Sequence, residues 1–135
     1  MTQGKPVGVL VVDDHVGFRH ALVATLNLVE GLEVVGEASE GETGAELARA
    51  ADPDVVLMDL SMPGISGVDA MRRIHRHKPD LPVIILTAHA DQALEREARA
   101  AGAVGFIAKG GGLQELVDTL IEVVQPQLTK ATGTA

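Results

Sequence analysis

Cysteine is absent from this chain of 135 residues, and the only aromatic residues are Phe18 and Phe106. The lack of cysteine excludes disulfides, thiolate metal sites and a cysteine nucleophile, and it is typical of a reducing compartment. A hydrophobic core must therefore consist almost entirely of Val, Leu, Ile and Ala. The hydrophobic fraction of 46% and the mean hydropathy of +0.20 supply enough of these residues for one domain of this length.

Long apolar runs and an excess of positive charge are missing as well. The first apolar run, 7–12, is only six residues long and ends in two aspartates, so it suits neither a signal peptide nor a membrane span. The formal net charge of -8 repels the phosphate backbone of nucleic acids. We therefore expect a cytoplasmic protein that neither enters a membrane nor binds nucleic acid directly.

Five short apolar runs, rich in β-branched residues, predict five β-strands. Such nearly continuous runs are typical of strands in parallel sheets, which are covered on both faces. The segments between them have the apolar spacing of amphipathic helices. This alternation predicts an α/β fold, a doubly wound five-stranded parallel sheet with five helices. The predicted strands are Val7–Val12, Glu33–Ala38, Asp54–Met58, Pro82–Thr87 and Val104–Ala108.

Glycine and polar residues predict where several of the helices begin and end. Gly31 is expected to terminate the first helix in the left-handed conformation that glycine adopts easily. Side chains that accept hydrogen bonds from the first turn of a helix mark its start. On this basis we predict capping boxes at Ser39–Glu42 for the second helix and Ser66–Asp69 for the third, and an N-cap at Asp91 for the fourth.

Residues with reactive side chains fall at the ends of four of the predicted strands. Asp13 and Asp14 follow the first strand, and Asp59 follows the third. Thr87 ends the fourth strand, and Lys109 follows the fifth. The carboxyl ends of parallel strands meet at one edge of the sheet, where doubly wound folds bind their ligands. We therefore expect three carboxylates, one hydroxyl and one ammonium group to share this edge.

Three carboxylates in one cleft stay ionised near neutral pH only if positive charge compensates them. Lys109 provides one such charge. A divalent cation would provide more, and ligands that are all oxygen favour Mg²⁺ over zinc. Mg²⁺ commonly combines one or two protein carboxylates with phosphate oxygens. The sequence therefore predicts that Asp13 and Asp14 hold Mg²⁺ beside Asp59, and that the site receives a phosphate group.

Asp59 has a separate chemical role in this prediction. A carboxylate can act as a nucleophile and form an aspartyl phosphate, a reaction that depends mainly on positioning and charge neutralisation. We expect the Lys109 ammonium group to neutralise one phosphoryl oxygen and the Thr87 hydroxyl to donate a hydrogen bond to another. Ala88, which follows Thr87, is small enough to leave room for the incoming group.

The segments that carry these residues resemble the receiver domains of two-component response regulators, over Val7–Val124 or nearly the whole chain. The resemblance implies a flavodoxin-like sheet of order 2-1-3-4-5 and phosphotransfer from a histidine kinase to Asp59. It implies direct metal ligation by Asp14, Asp59 and the backbone carbonyl of Ser61. Asp13 would act largely through water. The segments that carry the resemblance are Val11-Val-Asp-Asp-His15, Asp54–Gly64 with Gly67, Leu86-Thr-Ala88, and Lys109.

The same resemblance implies a conformational switch, in which Thr87 moves toward the phosphoryl group and Phe106 turns inward. The sequence departs from the family at the residue after the lysine, which is often a proline joined by a cis bond. Here three glycines follow Lys109. Without proline a cis bond would cost about 3–4 kcal/mol, so we expect a trans bond between Lys109 and Gly110. The glycines would also leave Lys109 less firmly placed.

A closer resemblance connects the chain with NarL/FixJ-type (LuxR-family) transcription regulators, which carry a C-terminal DNA-binding domain. We expect a receiver domain over 1–125, with 126–135 as a C-terminal tail or the start of a linker. We favour excision from a longer regulator over a stand-alone receiver. The expected partners are a sensor histidine kinase and the missing DNA-binding domain. A homodimer is also expected, formed through helix 4, strand 5 and helix 5 or through helices 1 and 5. The segments that carry this closer resemblance are Asp13-Asp-His15 with Arg19 and Ala21-Leu22, Val34–Ala38 and Asp59–Pro63.

Three other functions are compatible with parts of the pattern. One is a stand-alone receiver that passes its phosphoryl group along a phosphorelay. The second is a phosphohydrolase with an aspartyl-phosphate intermediate, which is disfavoured because Ser61 stands where such enzymes need a second acid. The third is a flavodoxin-like cofactor binder, whose phosphate Asp13 and Asp14 would repel. We expect a signalling domain and not an enzyme that acts on an outside substrate.

The five histidines contribute little to the predicted site. None of them pairs with an acidic residue at a spacing that indicates a metal ligand. His89, two residues after Thr87, is a candidate to border the phosphoryl group and influence its hydrolysis; otherwise it is an exposed loop residue. The histidines are His15, His20, His75, His77 and His89.

Overall fold

Five β-α units follow one another along the chain in the computed structural model, which describes residues 4–89 and 91–132. The strands form one parallel sheet of order β2-β1-β3-β4-β5. The predicted doubly wound fold and strand order are therefore confirmed. The elements are β1 Val7–Val12, α1 Val16–Leu26, β2 Leu32–Ala38, α2 Gly41–Ala50, β3 Val55–Asp59, α3 Gly67–His77, β4 Val83–Thr87, α4 Gln92–Ala100, β5 Gly105–Ala108, a 3₁₀ turn at Lys109–Gly111, and α5 Leu113–Thr132.

Helices cover both faces of the sheet, which explains the continuous apolar runs. Every residue of β1, β3 and β4 is buried. Successive side chains of a strand point to opposite faces, so alternate residues enter two separate cores. Val11 and Leu57 pack with α1 and α5, whereas Val12 and Met58 pack with α2, α3 and α4. This burial on both sides removes the polar-apolar alternation that a half-exposed strand would show.

The predicted helix caps have mixed outcomes. The Ser66 hydroxyl accepts a hydrogen bond from the backbone N–H of Asp69 at 3.1 Å, so the capping position of α3 is confirmed. Asp91 caps α4 by accepting from the N–H groups of Ala93 at 2.7 Å and Leu94 at 3.3 Å, as predicted. Both caps satisfy backbone donors in the first turn, which have no partner inside the helix.

The predicted capping box at Ser39 is wrong. Helix α2 begins at Gly41, and its N-cap is Glu40, whose side chain makes no capping hydrogen bond. The first turn of α2 lies so close to the loop before α3 that a Cβ at position 41 would come within 2.8 Å of Ile65. The start of α2 therefore packs tightly against a segment that is distant in the sequence.

The predicted role of Gly31 is also wrong. Helix α1 ends at Leu26 with Asn27 as its C-cap, five residues before the start of β2. The Asn27 side chain accepts a hydrogen bond from the N–H of Val34 at 3.1 Å and so ties the end of α1 to β2. Gly31 does adopt a positive φ of 86°, but it uses this conformation to turn the chain into the strand.

Helix α5 continues past the predicted domain boundary at residue 125 and ends at Thr132, with Pro126 inside it. Leu128 is 8% exposed and belongs to the core between α1, α5 and the sheet, so burial favours continuing the helix. Residues 126–132, expected to be a C-terminal tail or the start of a linker, are therefore helical, and residues 133–135 lie outside the described part of the chain. Within residues 4–89 and 91–132, no helix has the length and apolar content that a membrane span requires.

The central strands should provide most of the stability. Leu57 in β3 is fully buried, so Leu57→Ala should lower the free energy of unfolding by about 3 kcal/mol through the lost burial and the cavity left behind. Leu28 is 87% exposed, and Leu28→Ala should change stability by less than about 0.5 kcal/mol. Urea denaturation measures both variants. Equal losses of stability would contradict this description of the core.

Candidate functional site

The end of β1 presents the Asp13 carboxylate to the edge of the sheet. Its backbone is held on both sides: the N–H donates to the carbonyl of Ala38 at 2.9 Å, and the carbonyl accepts from the guanidinium of Arg19 at 2.7 Å. Arg19 also pairs with Glu37 at 3.2 Å, which fastens α1 to β2. The Asp13 side chain is completely buried as a result.

Asp59 ends β3, the neighbour of β1, and lies next to this carboxylate. The following residue, Leu60, donates its N–H to the carbonyl of Leu86 at 2.8 Å and keeps the end of β3 joined to β4. Asp59 is only 2% exposed. Asp14 lies on the outer side, with 30% of its side chain exposed. The structure therefore brings together the three carboxylates that the sequence placed at different strand ends.

Lys109 enters the same cluster from the end of β5. Its Nζ lies 2.6 Å from Asp13 Oδ2 and 3.4 Å from Asp59 Oδ2, and its side chain is only 10% exposed. The ammonium also lies 4.8 Å above the ring of Phe18, a cation–π contact that further restricts it. The described residues contain no cis peptide bond, in agreement with the expected trans bond after Lys109. The three glycines thus do not prevent Lys109 from entering the site.

Gly67, the first residue of α3, allows the loop after β3 to fold back on Asp59. A Cβ at position 67 would collide with the backbone carbonyl of Asp59. Its N–H donates to the carbonyl of Leu60 at 2.9 Å, which closes the loop. Ser61, expected to offer its carbonyl to a metal, lies exposed in this loop. Only glycine permits such close approach of the two backbone segments.

The charges in this cluster do not balance. Three carboxylates face one ammonium group, and Asp13 Oδ2, Asp14 Oδ1 and Asp59 Oδ2 are buried without a hydrogen bond of acceptable geometry. Burial, together with the charge of Asp13, raises the pKa of Asp59 to about 6, although Lys109 opposes the shift. Such buried acceptors destabilise a protein unless a cation or donor satisfies them.

The donor atoms suit a hard divalent cation. Carboxylate oxygens from Asp13, Asp14 and Asp59 lie within 4.8 Å of one another and of one histidine nitrogen. Oxygen donors of this kind bind Mg²⁺, which keeps several waters and needs only a few protein ligands. The oxygens without hydrogen bonds are those that an ion would satisfy. The acidic cluster therefore fits the metal expected from the sequence.

His15 belongs to the cluster, although its sequence spacing from the acidic residues was not taken to indicate a metal ligand. Its Nδ1 lies 3.1 Å from Asp13 Oδ1, 3.4 Å from Asp14 Oδ1 and 3.7 Å from Asp59 Oδ2. The feature of the sequence that could have revealed this is the position of His15 directly after Asp13 and Asp14. As the N-cap of α1 it has an extended backbone, and this conformation turns its side chain back toward the end of β1.

The Thr87 hydroxyl is engaged elsewhere in the structure. It donates to the backbone carbonyl of His89 at 3.0 Å and accepts from the His89 N–H at 3.2 Å. Ala88 and His89 are exposed, and Thr87 and His89 both line a cavity of about 420 Å³ that also touches Ser61. Phe106 is partly buried and packs against the core beneath α2, α3 and α4. These positions allow the predicted roles of Thr87, Ala88, His89 and Phe106 without testing them.

Comparison with known proteins adds an independent line of argument. The sequence pattern of the family described as "Response regulator receiver domain" matches residues 9–121. The response regulator GacA of Pseudomonas aeruginosa is 43% identical over 121 residues, which cover 90% of this chain and 56% of GacA. This chain thus spans about half the length of the relatives it matches.

Two solved structures are similar throughout. The signal receiver domain of the putative response regulator NarL from Mycobacterium tuberculosis superimposes with a TM-score of 0.84 at 34% identity, covering 90% of this chain and 98% of that one. The CheX-CheY-BeF3-Mg²⁺ complex from Borrelia burgdorferi gives a TM-score of 0.81 at 25% identity, covering 89% of this chain and 90% of that one.

The raised pKa of Asp59 leads to a prediction about stability. An acid whose pKa is higher in the folded protein than its ordinary value of 3.8 stabilises the fold at low pH, and this contribution is lost as the pH rises through about 6. Asp59→Asn cannot ionise. In the presence of a chelator, the stability of Asp59→Asn relative to the original chain should therefore increase from about pH 4 to about pH 7, by on the order of 2 kcal/mol.

Urea denaturation of both proteins across this pH range measures the difference. Mg²⁺ should reduce the advantage of Asp59→Asn at pH 7, because it compensates the ionised carboxylates. The Asp80→Asn variant is the matched control, since Asp80 is exposed. An advantage of Asp59→Asn that does not change with pH would show that the ionisation of Asp59 does not oppose folding.

Proposed function

The chain belongs to the response regulator receiver domain family, and from that premise we propose that it accepts a phosphoryl group on Asp59 from a sensor histidine kinase. The observation that carries this proposal is the cluster at the edge of the sheet. Asp59 is nearly buried there, beside Asp13 and Asp14 and within 3.4 Å of the Lys109 ammonium. No other acidic residue of the cluster lies at the end of the central strand.

The reaction is a transfer between two nucleophiles. A carboxylate oxygen of Asp59 forms a bond to phosphorus while the P–N bond of a phosphohistidine breaks, and the leaving imidazole takes up a proton. Lys109 stabilises the negative charge that develops on the phosphoryl oxygens. Asp13 and Asp14 would hold the metal, and a bound divalent cation would supply further positive charge for the phosphoryl oxygens. The ionised carboxylate of Asp59 is the reactive form. Positive charge near it favours ionisation and so also activates the nucleophile.

Thr87 connects the site to the protein surface in this proposal. Its hydroxyl must release the backbone carbonyl of His89 before it can donate to a phosphoryl oxygen. This exchange of hydrogen bonds would shift the segment between β4 and α4. Phe106, on the adjacent strand β5, would respond by turning into the space that opens. The surface formed by α4, β5 and α5 would then differ between the two states.

The proposed output is the regulation of a second domain. Since the chain spans about half the length of relatives such as GacA, we propose that it regulates a DNA-binding domain that follows it, and so controls transcription in the cytoplasm. The structure is similar to that of a LuxR-family response regulator from Aurantimonas sp. SI85-9A1. This similarity supports control of transcription rather than the transfer of a phosphoryl group along a phosphorelay. A homodimer through α4, β5 and α5, or through α1 and α5, would transmit the change.

Incubation with a small acyl phosphate and Mg²⁺ tests the phosphoacceptor directly. Intact-mass measurement should show one added phosphoryl group, because the carboxylate cluster supports a single nucleophile. The addition should disappear in Asp59→Asn and in the presence of a chelator. Asp80→Asn, at an exposed aspartate outside the cluster, should be modified like the original chain. A phosphoryl group on Asp59→Asn would identify another acceptor and contradict the proposal.

Lys109 should be required for the response rather than for metal binding. Lys109→Ala keeps the carboxylates, so Mg²⁺ should still bind, more tightly if anything, because a competing positive charge is lost. Phosphodonor should then no longer shift the backbone ¹H–¹⁵N signals of α4, β5 and α5. Lys5→Ala, at an exposed lysine, is the control. The same spectral change in Lys109→Ala as in the original chain would exclude this role.

A further inference from the structure

We propose that His15 is a nitrogen ligand of the metal at this site, so that the site prefers borderline transition ions more strongly than carboxylates alone would. The inference rests on the proposed function for the existence of the metal. It concerns His15, whose ring nitrogen lies among the carboxylates of this site. The ligand class is a divalent ion of the Mn²⁺-to-Zn²⁺ series, for which imidazole is a good donor.

The distances around Nδ1 are those of ligands that share one ion. Two donor atoms about 2.1 Å from the same ion lie roughly 3 Å apart when adjacent and about 4.2 Å apart when opposite in an octahedron. His15 Nδ1 lies 3.1, 3.4 and 3.7 Å from oxygens of Asp13, Asp14 and Asp59. All three separations fall within this range. A single ion can therefore contact the imidazole and the carboxylates without large movements.

One neighbour of Nδ1 can only donate a hydrogen bond. The Lys109 ammonium, which can only donate, lies 3.1 Å from Nδ1. Asp13 Oδ1, at a similar distance from Nδ1, already accepts from the His15 backbone N–H at 2.8 Å. When the ring proton is on Nε2, Nδ1 accepts from the ammonium and can offer the same electron pair to a metal ion. An unprotonated ring nitrogen is the form that binds metal ions.

A second observation shows that the acidic cluster needs a cation at this point. Asp13 and Asp59 are 0% and 2% exposed, and the Lys109 ammonium alone lies close to the Oδ2 atoms of both, at 2.6 and 3.4 Å, among the described lysines and arginines. The imidazole closes the cluster from the outside, because the His15 side chain is 58% exposed. Lys109 currently supplies the positive charge next to Nδ1. A metal ion would take over that interaction and leave the ammonium to the phosphoryl group.

Calorimetric titration of the metal-free chain with Ni²⁺ and with Mg²⁺ tests the inference. His15→Ala should weaken Ni²⁺ binding at least about tenfold, since a nitrogen donor is lost. Mg²⁺ binding should change by no more than about twofold, because Mg²⁺ is held by oxygen. His20→Ala is the matched control, an exposed histidine in α1, and should leave both affinities unchanged. Asp14→Ala should weaken both ions.

The outcomes separate this inference from the proposed function. A selective loss of Ni²⁺ affinity in His15→Ala supports it, even if Mg²⁺ failed to support phosphorylation of Asp59. An equal loss for both ions would show that His15 only positions α1 and would overturn the inference. Unchanged Ni²⁺ affinity would overturn it as well, while Mg²⁺ binding that depends on Asp14 would leave the proposed function intact.

Long-range ¹H–¹⁵N spectra of the histidine rings provide a second, direct measurement. Addition of Zn²⁺, which is diamagnetic, should shift the Nδ1 signal of His15 and leave its Nε2 signal nearly unchanged. The rings of His20 and His77, both exposed, should not respond at the same ion concentration. A Zn²⁺-dependent shift at Nε2 of His15 instead of Nδ1 would contradict the assigned ligand atom.

Discussion

Repulsion among three carboxylates held at one edge of the sheet is the interaction on which the site depends. Asp13 and Asp59 are almost fully buried, and the Lys109 ammonium is the cation that reaches both of them among the described residues. A protein can keep such an arrangement only if another part of the structure compensates its cost. The two apolar cores provide that stability. The unbalanced charge in turn makes the site responsive to a metal ion and a phosphoryl group.

The fold enforces this repulsion through strand order. Because β1 and β3 are neighbours, Val12 pairs in register with Met58, and the acidic residues that come next, Asp13 and Asp59, have to meet. The pairing of Thr87 with Ala108 brings the residue after β5, Lys109, to the same edge. Helix packing on both faces leaves this edge as the place where polar side chains can gather. Fold and reactivity therefore have one origin in the parallel topology.

Features of the fold and the site could be predicted from the sequence where a local pattern of residues is compatible with only one structure. The buried strands were recognisable because both faces are apolar, and the convergence of Asp59 with Lys109 followed from parallel strand ends. Tertiary packing decided what could not be predicted. The start of α2 packs closely against Ile65, and the last turns of α5 bury Leu128. The contribution of His15 required the direction of its side chain, which spacing does not reveal.

Titration of the Asp59 side-chain carboxyl group by ¹³C NMR, without and with Mg²⁺, tests the central claim most directly. Without metal, burial and the neighbouring charge should give Asp59 a pKa of about 6, and Mg²⁺ should lower the pKa by favouring the ionised form. A metal-free pKa near the ordinary value of 3.8, unaffected by Mg²⁺, would contradict the account, because the carboxylates would then not share one cleft.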